Sequence, residues 1–199
     1  MGATQPNVAA GWPATRSRVE ARAVRLQRVL HHVSGVVDRK EPIVAKPPSP
    51  PELDPATRRA LAVGLFNLVW TLLEKPNRSR EQDDEMLHAA HASRYHWGEV
   101  GEAVNLARGE WQCSRVYAVL GRGEPALWHA RRCIEIYEEN GIGDWDIASG
   151  YEAMARASAV AGDGPAARDW KAKARAACGL ISEADDRQLI EQDLATLPI

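Results

Sequence analysis

A chain of 199 residues with 45% hydrophobic and 26% charged residues can bury one sizeable core and has the proportions of a soluble globular protein. Its net charge of −2 is unevenly shared: residues 1–51 hold eight Lys/Arg and three acidic residues, net +5, which leaves −7 for residues 52–199 and argues against a nucleic-acid-binding face there. Val, Ile and Thr never form alternating runs, and the longest apolar run, 60–73, is broken by Gly64 and Asn67, so neither strands nor a transmembrane segment are expected.

Residues 1–15 lack any period. From Thr15 to Val37, Val19, Ala23, Leu26, Leu30 and Val33 fall at helical spacing with arginines between them, a basic amphipathic helix suited to a membrane surface or a partner. No secretory signal core is evident. Four prolines between Lys46 and Pro51 make a stiff linker, dividing the chain into an N-terminal extension, 1–52, and a helical domain, 53–199.

Seven helices follow in the domain. Asp54-Pro55 opens the first, which stops before Pro76; Ser79, with Gln82 three residues on, opens a second that ends at Gly98. A third spans about 102–120, and Glu124-Pro125 starts a fourth ending at Gly141. Asp144 caps a fifth, Pro165 starts a sixth, and Ser182 caps a seventh. Short Gly/Pro turns between them predict an all-α stack of antiparallel neighbours. Cys113, Cys133 and Cys178 show no CxxC spacing and read as small buried residues in a reducing cytoplasm.

The segment Tyr117 to Gly121, followed by Ala126, Ala130, Cys133 and Ile134, resembles the tetratricopeptide repeat, with an aromatic before a turn glycine and small residues at fixed offsets. Weaker echoes run through Gly98, Ala103 and Ala107, and through Gly162 and Ala167. The glycine spacings depart from the family's period and the closing prolines are missing. The resemblance, over about residues 80–180, implies a short right-handed superhelix of hairpins that binds a protein or peptide. The run from Arg94 to Cys133 also resembles a family of uncharacterised actinobacterial proteins, which implies a fold and no activity.

Some residues break the amphipathic pattern. Glu110 lies inside the apolar face of the third helix, beside Ala103, Ser114 and Tyr117. A carboxylate there needs a partner, either a salt bridge to an arginine such as Arg94 or a role as general base or metal ligand. On the second helix Asp84, His88, His91 and Tyr95 share a polar stripe within about 60°. Folding the two helices about 98–101 sets Glu110 level with about residue 89, near His88 and His91. That convergence suits either acid–base catalysis or a divalent transition metal held by His88, His91, Asp84 and Glu110. The fit is otherwise incomplete, and no cofactor is expected on composition alone. His129 falls on an apolar face, with Trp128 pointing outward. Arg108, Trp111 and Arg115 make a row that either clamps an acidic peptide or shields the tryptophan. No phosphate loop, G-x-S-x-G or HExxH is present.

Overall fold

The side chain of Asp54 accepts from the backbone N–H and hydroxyl of Thr57, and Pro55, which has no N–H, fills the first helical position of α1 (Pro55–Leu73), which reduces the unpaired donors at its start. The computed structural model describes residues 52–199; the basic stretch 15–37 and the proline-rich linker lie outside the described residues. A Ser79–Gln82 capping box opens α2 (Arg80–Val100). Then come α3 (Ala103–Val119), α4 (Gly123–Glu139), α5 (Asp144–Val160), α6 (Gly164–Cys178) and α7 (Ala184–Ala195). Among the described residues the fold is all-helical with no strand, and no helix is long and apolar enough to cross a membrane.

Consecutive helices pack as hairpins, α1 on α2, α3 on α4 and α5 on α6, and each hairpin packs on the next. The odd-numbered helices also approach one another backbone to backbone, α1 to α3, α3 to α5 and α5 to α7, whereas the backbones of the even-numbered ones stay further apart. The stack therefore curves, with the odd helices on its inner side.

Small residues make the close stacking possible. Ala62, Ala107, Ala126, Ala130, Ala155 and Ala157 are fully buried, and no rotamer entropy is lost in burying them. Hydrogen bonds stitch helix to helix: Ser93 Oγ donates to Ala62 O, Gln112 Nε2 to Phe66 O, and Ser114 Oγ to Ala126 O. Each contributes about 1 kcal/mol and fixes the register of one helix on another. At Gly109 a Cβ would stand 3.0 Å from Arg94 Cδ and 3.3 Å from its Cα, so α2 and α3 meet backbone to side-chain root at that level.

Three boundaries differ from the sequence expectation. Helix α2 runs through Gly98 to Val100, and the N–H of Gly101 then closes it on Trp97 O. A glycine inside a helix costs about 1 kcal/mol, which the burial of Trp97 offsets. Asp144 has a positive φ of 55° and is the first helical residue, with Gly143 in the cap position. Glu183, not Ser182, precedes α7.

Candidate functional site

Extending α2 by two residues moves its turn, and with it the register of the α2–α3 hairpin. Glu110 lies opposite Arg94, about five residues from the position predicted by folding about 98–101, and Arg94 Nε donates to its Oε1 at 2.7 Å, the ion pair allowed for from the sequence. The other carboxylate oxygen, Oε2, lies 2.6 Å from Nδ1 of His129 on α4. Glu110 is 3% exposed. Burial pushes its carboxyl up, but the hydrogen bonds from His129 and Arg94 outweigh that and hold it below the ordinary glutamate range. An ionised carboxylate only accepts, so His129 donates through Nδ1 and, in its neutral form, presents a free lone pair at Nε2.

Around that imidazole the three helices build an aromatic enclosure. Tyr117 stacks on the His129 ring at 5.5 Å with an interplanar angle of 14°, Trp128 meets it edge-on at 4.7 Å, and His91 meets it edge-on at 5.2 Å. His91 Nε2 is 2.9 Å from the Tyr117 hydroxyl. Burial, with the nearby His129, lowers the pKa of His91, and Glu110 only partly compensates. Cys113 lies on the same level of α3 and is fully buried; burial pushes its thiol up to about 12. Ligand-type atoms of His91, Cys113 and His129 all lie within 4.8 Å of one another.

This differs from the predicted convergence. His88 and Asp84 are exposed on the outer side of α2 and take no part in the cluster, and Tyr95 is 53% exposed. The shifted register explains it: with Arg94 opposite Glu110, His91 falls opposite Cys113, and His88 a turn further from the carboxylate. The metal set His88, His91, Asp84 and Glu110 is therefore not assembled; His91 instead meets His129 and Cys113.

The arginine–tryptophan row is also engaged within the fold. Arg108 makes a bidentate pair with Asp146 at 2.7 and 3.0 Å and lies over the Trp145 ring. Arg115 lies at 6.0 Å over Trp111, donates to Glu152 at 3.2 Å and pairs with Asp193. Glu152, 1% exposed, also accepts from Arg156 at 2.5 Å. These pairs join α3, α5 and α7, so an acidic ligand would have to displace carboxylates already in place.

Beside the row, the inner face holds a groove of about 350 Å³ lined by Phe66 and Trp70 of α1, Arg108 and Trp111 of α3, Trp145 of α5, and Asp186 and Leu189 of α7. The Trp70 and Trp111 rings stand 5.5 Å apart. The indole nitrogens of Trp111 and Trp145 are buried without a hydrogen-bond partner in the protein.

Of the groove lining, sequence reasoning named Arg108 and Trp111; it missed Phe66, Trp70 and Trp145, and with them Cys113 and Tyr117 of the cluster. In an amphipathic pattern all of them score as core, and their polar atoms leave no trace in the periodicity. It also missed Glu152, although the signal was the same as for Glu110: a carboxylate among small residues, Ala148, Ala153 and Ala155, on a buried helix.

No family model matches this chain, and no curated protein matches its sequence.

Proposed function

We propose that residues 52–199 form a tetratricopeptide-like binding module whose inner groove receives an extended peptide of a partner protein. The observation that carries this reading is the groove itself, in which alternate helices α1, α3, α5 and α7 each contribute a wall of aromatic or aliphatic side chains. An array of this kind presents a long inner surface at low ordering cost, because every lining residue is fixed by a helix. Apolar side chains of the peptide would fill the space between Trp70, Trp111 and Trp145. Since Arg108 and Arg115 are already paired with Asp146, Glu152 and Asp193, the peptide is recognised by apolar contact rather than by acidic side chains. Three buried free cysteines support a reducing compartment such as the cytoplasm.

A displayed library of random peptides, selected on the full chain, tests this. Enriched sequences should be rich in aromatic and aliphatic residues, and Trp145→Ala should weaken them about thirtyfold, the loss expected on truncating a central tryptophan anchor. Peptides that bind Trp145→Ala and Leu189→Glu as tightly as the parent chain would remove the groove from consideration.

A further inference from the structure

We infer that the His91–Cys113–His129 cluster is a binding site for a divalent transition ion of the zinc class. One nitrogen, one sulfur and a second nitrogen, supplied by three different helices, come within 4.8 Å of one another. In a tetrahedral zinc site, bonds of 2.0–2.3 Å place ligand atoms about 3.4–3.8 Å apart, so the cluster needs to contract by roughly 1 Å, a side-chain rotation. The helices themselves are fixed here by Gly109 against Arg94 and by Ser114 on Ala126.

Three further features belong to a metal site rather than to a chance meeting of side chains. Glu110 accepts from Nδ1 of His129, which fixes the tautomer that leaves Nε2 for an ion; a carboxylate behind a ligating histidine is the usual outer-shell partner of zinc. Arg94 in turn holds Glu110 by its other oxygen, so the outer shell is itself positioned. The donor set is nitrogen and thiolate, which selects against magnesium and calcium, whose ligands are oxygens. His91 at present contacts Tyr117, a neutral hydrogen bond that an ion would replace. On binding, the Cys113 S–H bond breaks, its proton passes to water, and the sulfur lone pair is given to the ion. With three protein ligands, the fourth position is left to solvent, the arrangement of open zinc sites. The inference is independent of the peptide groove, which uses none of these residues.

Cobalt(II) is the probe. The purified full chain, stripped with a chelator under reducing conditions, should take up one equivalent and show both the visible bands of a four-coordinate ion and a sulfur-to-cobalt charge-transfer band. One equivalent of zinc should abolish both. Cys113→Ser should remove the charge-transfer band, whereas Cys133→Ser and Cys178→Ser should keep it. Glu110→Gln should weaken affinity about 10–100-fold while leaving the stoichiometry at one. Absence of a saturable equivalent, or a charge-transfer band that survives Cys113→Ser, overturns the inference. Should Cys113→Ser fail to fold by circular dichroism, His91→Ala decides: its ring is only half-buried, and undiminished cobalt affinity in that variant would equally overturn it.

Discussion

Among the described residues two glutamates, Glu110 and Glu152, are buried, and each is held by two basic side chains, yet their surroundings differ in kind. Glu152 sits between α3, α5 and α7 with Arg115 and Arg156, and Asp193 stands beside it. Burial, reinforced by the Asp193 charge, pushes its carboxyl above the ordinary glutamate range despite the two guanidiniums. Glu110 sits between α2, α3 and α4 with Arg94 and a histidine, and its carboxyl is held below that range. The Glu152 network is built from charged side chains, backbone carbonyls and one hydroxyl; Arg156 also donates to Asp193 O and Thr196 Oγ1, which ties down the end of α7. The Glu110 network ends in an imidazole with a free nitrogen, a phenol and a thiol. A buried carboxylate is thus a clasp when its partners are saturated, and part of a chemical site when one partner keeps an open position.

Breaking the clasp should have the largest effect on stability. Arg115→Ala removes one guanidinium from a fully buried carboxylate and should cost about 3–5 kcal/mol, read as a lower urea midpoint at unchanged m-value. Glu110→Gln should cost less, about 1–3 kcal/mol, because Arg94 can turn to solvent and His129 can remain neutral. If the two variants were destabilised equally, the distinction between clasp and site would collapse.

Acid should separate them by sign. A carboxyl held low in the fold contributes stability above the ordinary glutamate range that is lost as pH falls through its folded value, so the penalty of Glu110→Gln should shrink in acid. A carboxyl held high contributes stability below the ordinary range that is lost as pH rises through its folded value. Glu152 in the parent chain should therefore gain on Glu152→Gln as the pH is lowered. Urea midpoints of both variants between about pH 4 and 7 would show slopes of opposite sign; parallel slopes would refute the assignment. The smallest effect is expected at His88→Ala, which touches neither network: its midpoint should match the parent's, and a clear loss would return His88 to the site.

Much of the fold was legible because its signals are local. Asp54-Pro55 and the Ser79–Gln82 box mark helix starts through side-chain acceptors that bond backbone N–H groups within three residues, whatever packs around them. Glu110 was legible because a charge on an apolar face is a local contradiction. Arg94 was legible as one possible partner, and that ion pair is present; the histidine beside the carboxylate was not, because that depends on register, and register turned on where α2 stops between Gly98 and Gly101. Two residues in a helix shift every cross-hairpin pairing by about one turn, enough to exchange His88 for Arg94 beside the carboxylate. His129 belongs to a third helix, whose distance from Glu110 no periodicity encodes.

The turn between α3 and α4 has a consequence for how such a stack can vary. A Cβ at Gly123 would lie 2.5 Å from the Cα of Ala161, in the turn between α5 and α6, where ordinary contact needs about 3.5–4.0 Å. Any side chain at 123 must drive these two turns apart by roughly 1 Å. Trp111 and Trp145, on opposite sides of the groove, ride on the helices that these turns join. Gly123 thus permits the close approach of the two turns without itself lining the groove. If the groove binds a peptide as proposed, a side chain at position 123 would alter its width with every aromatic of the lining left in place.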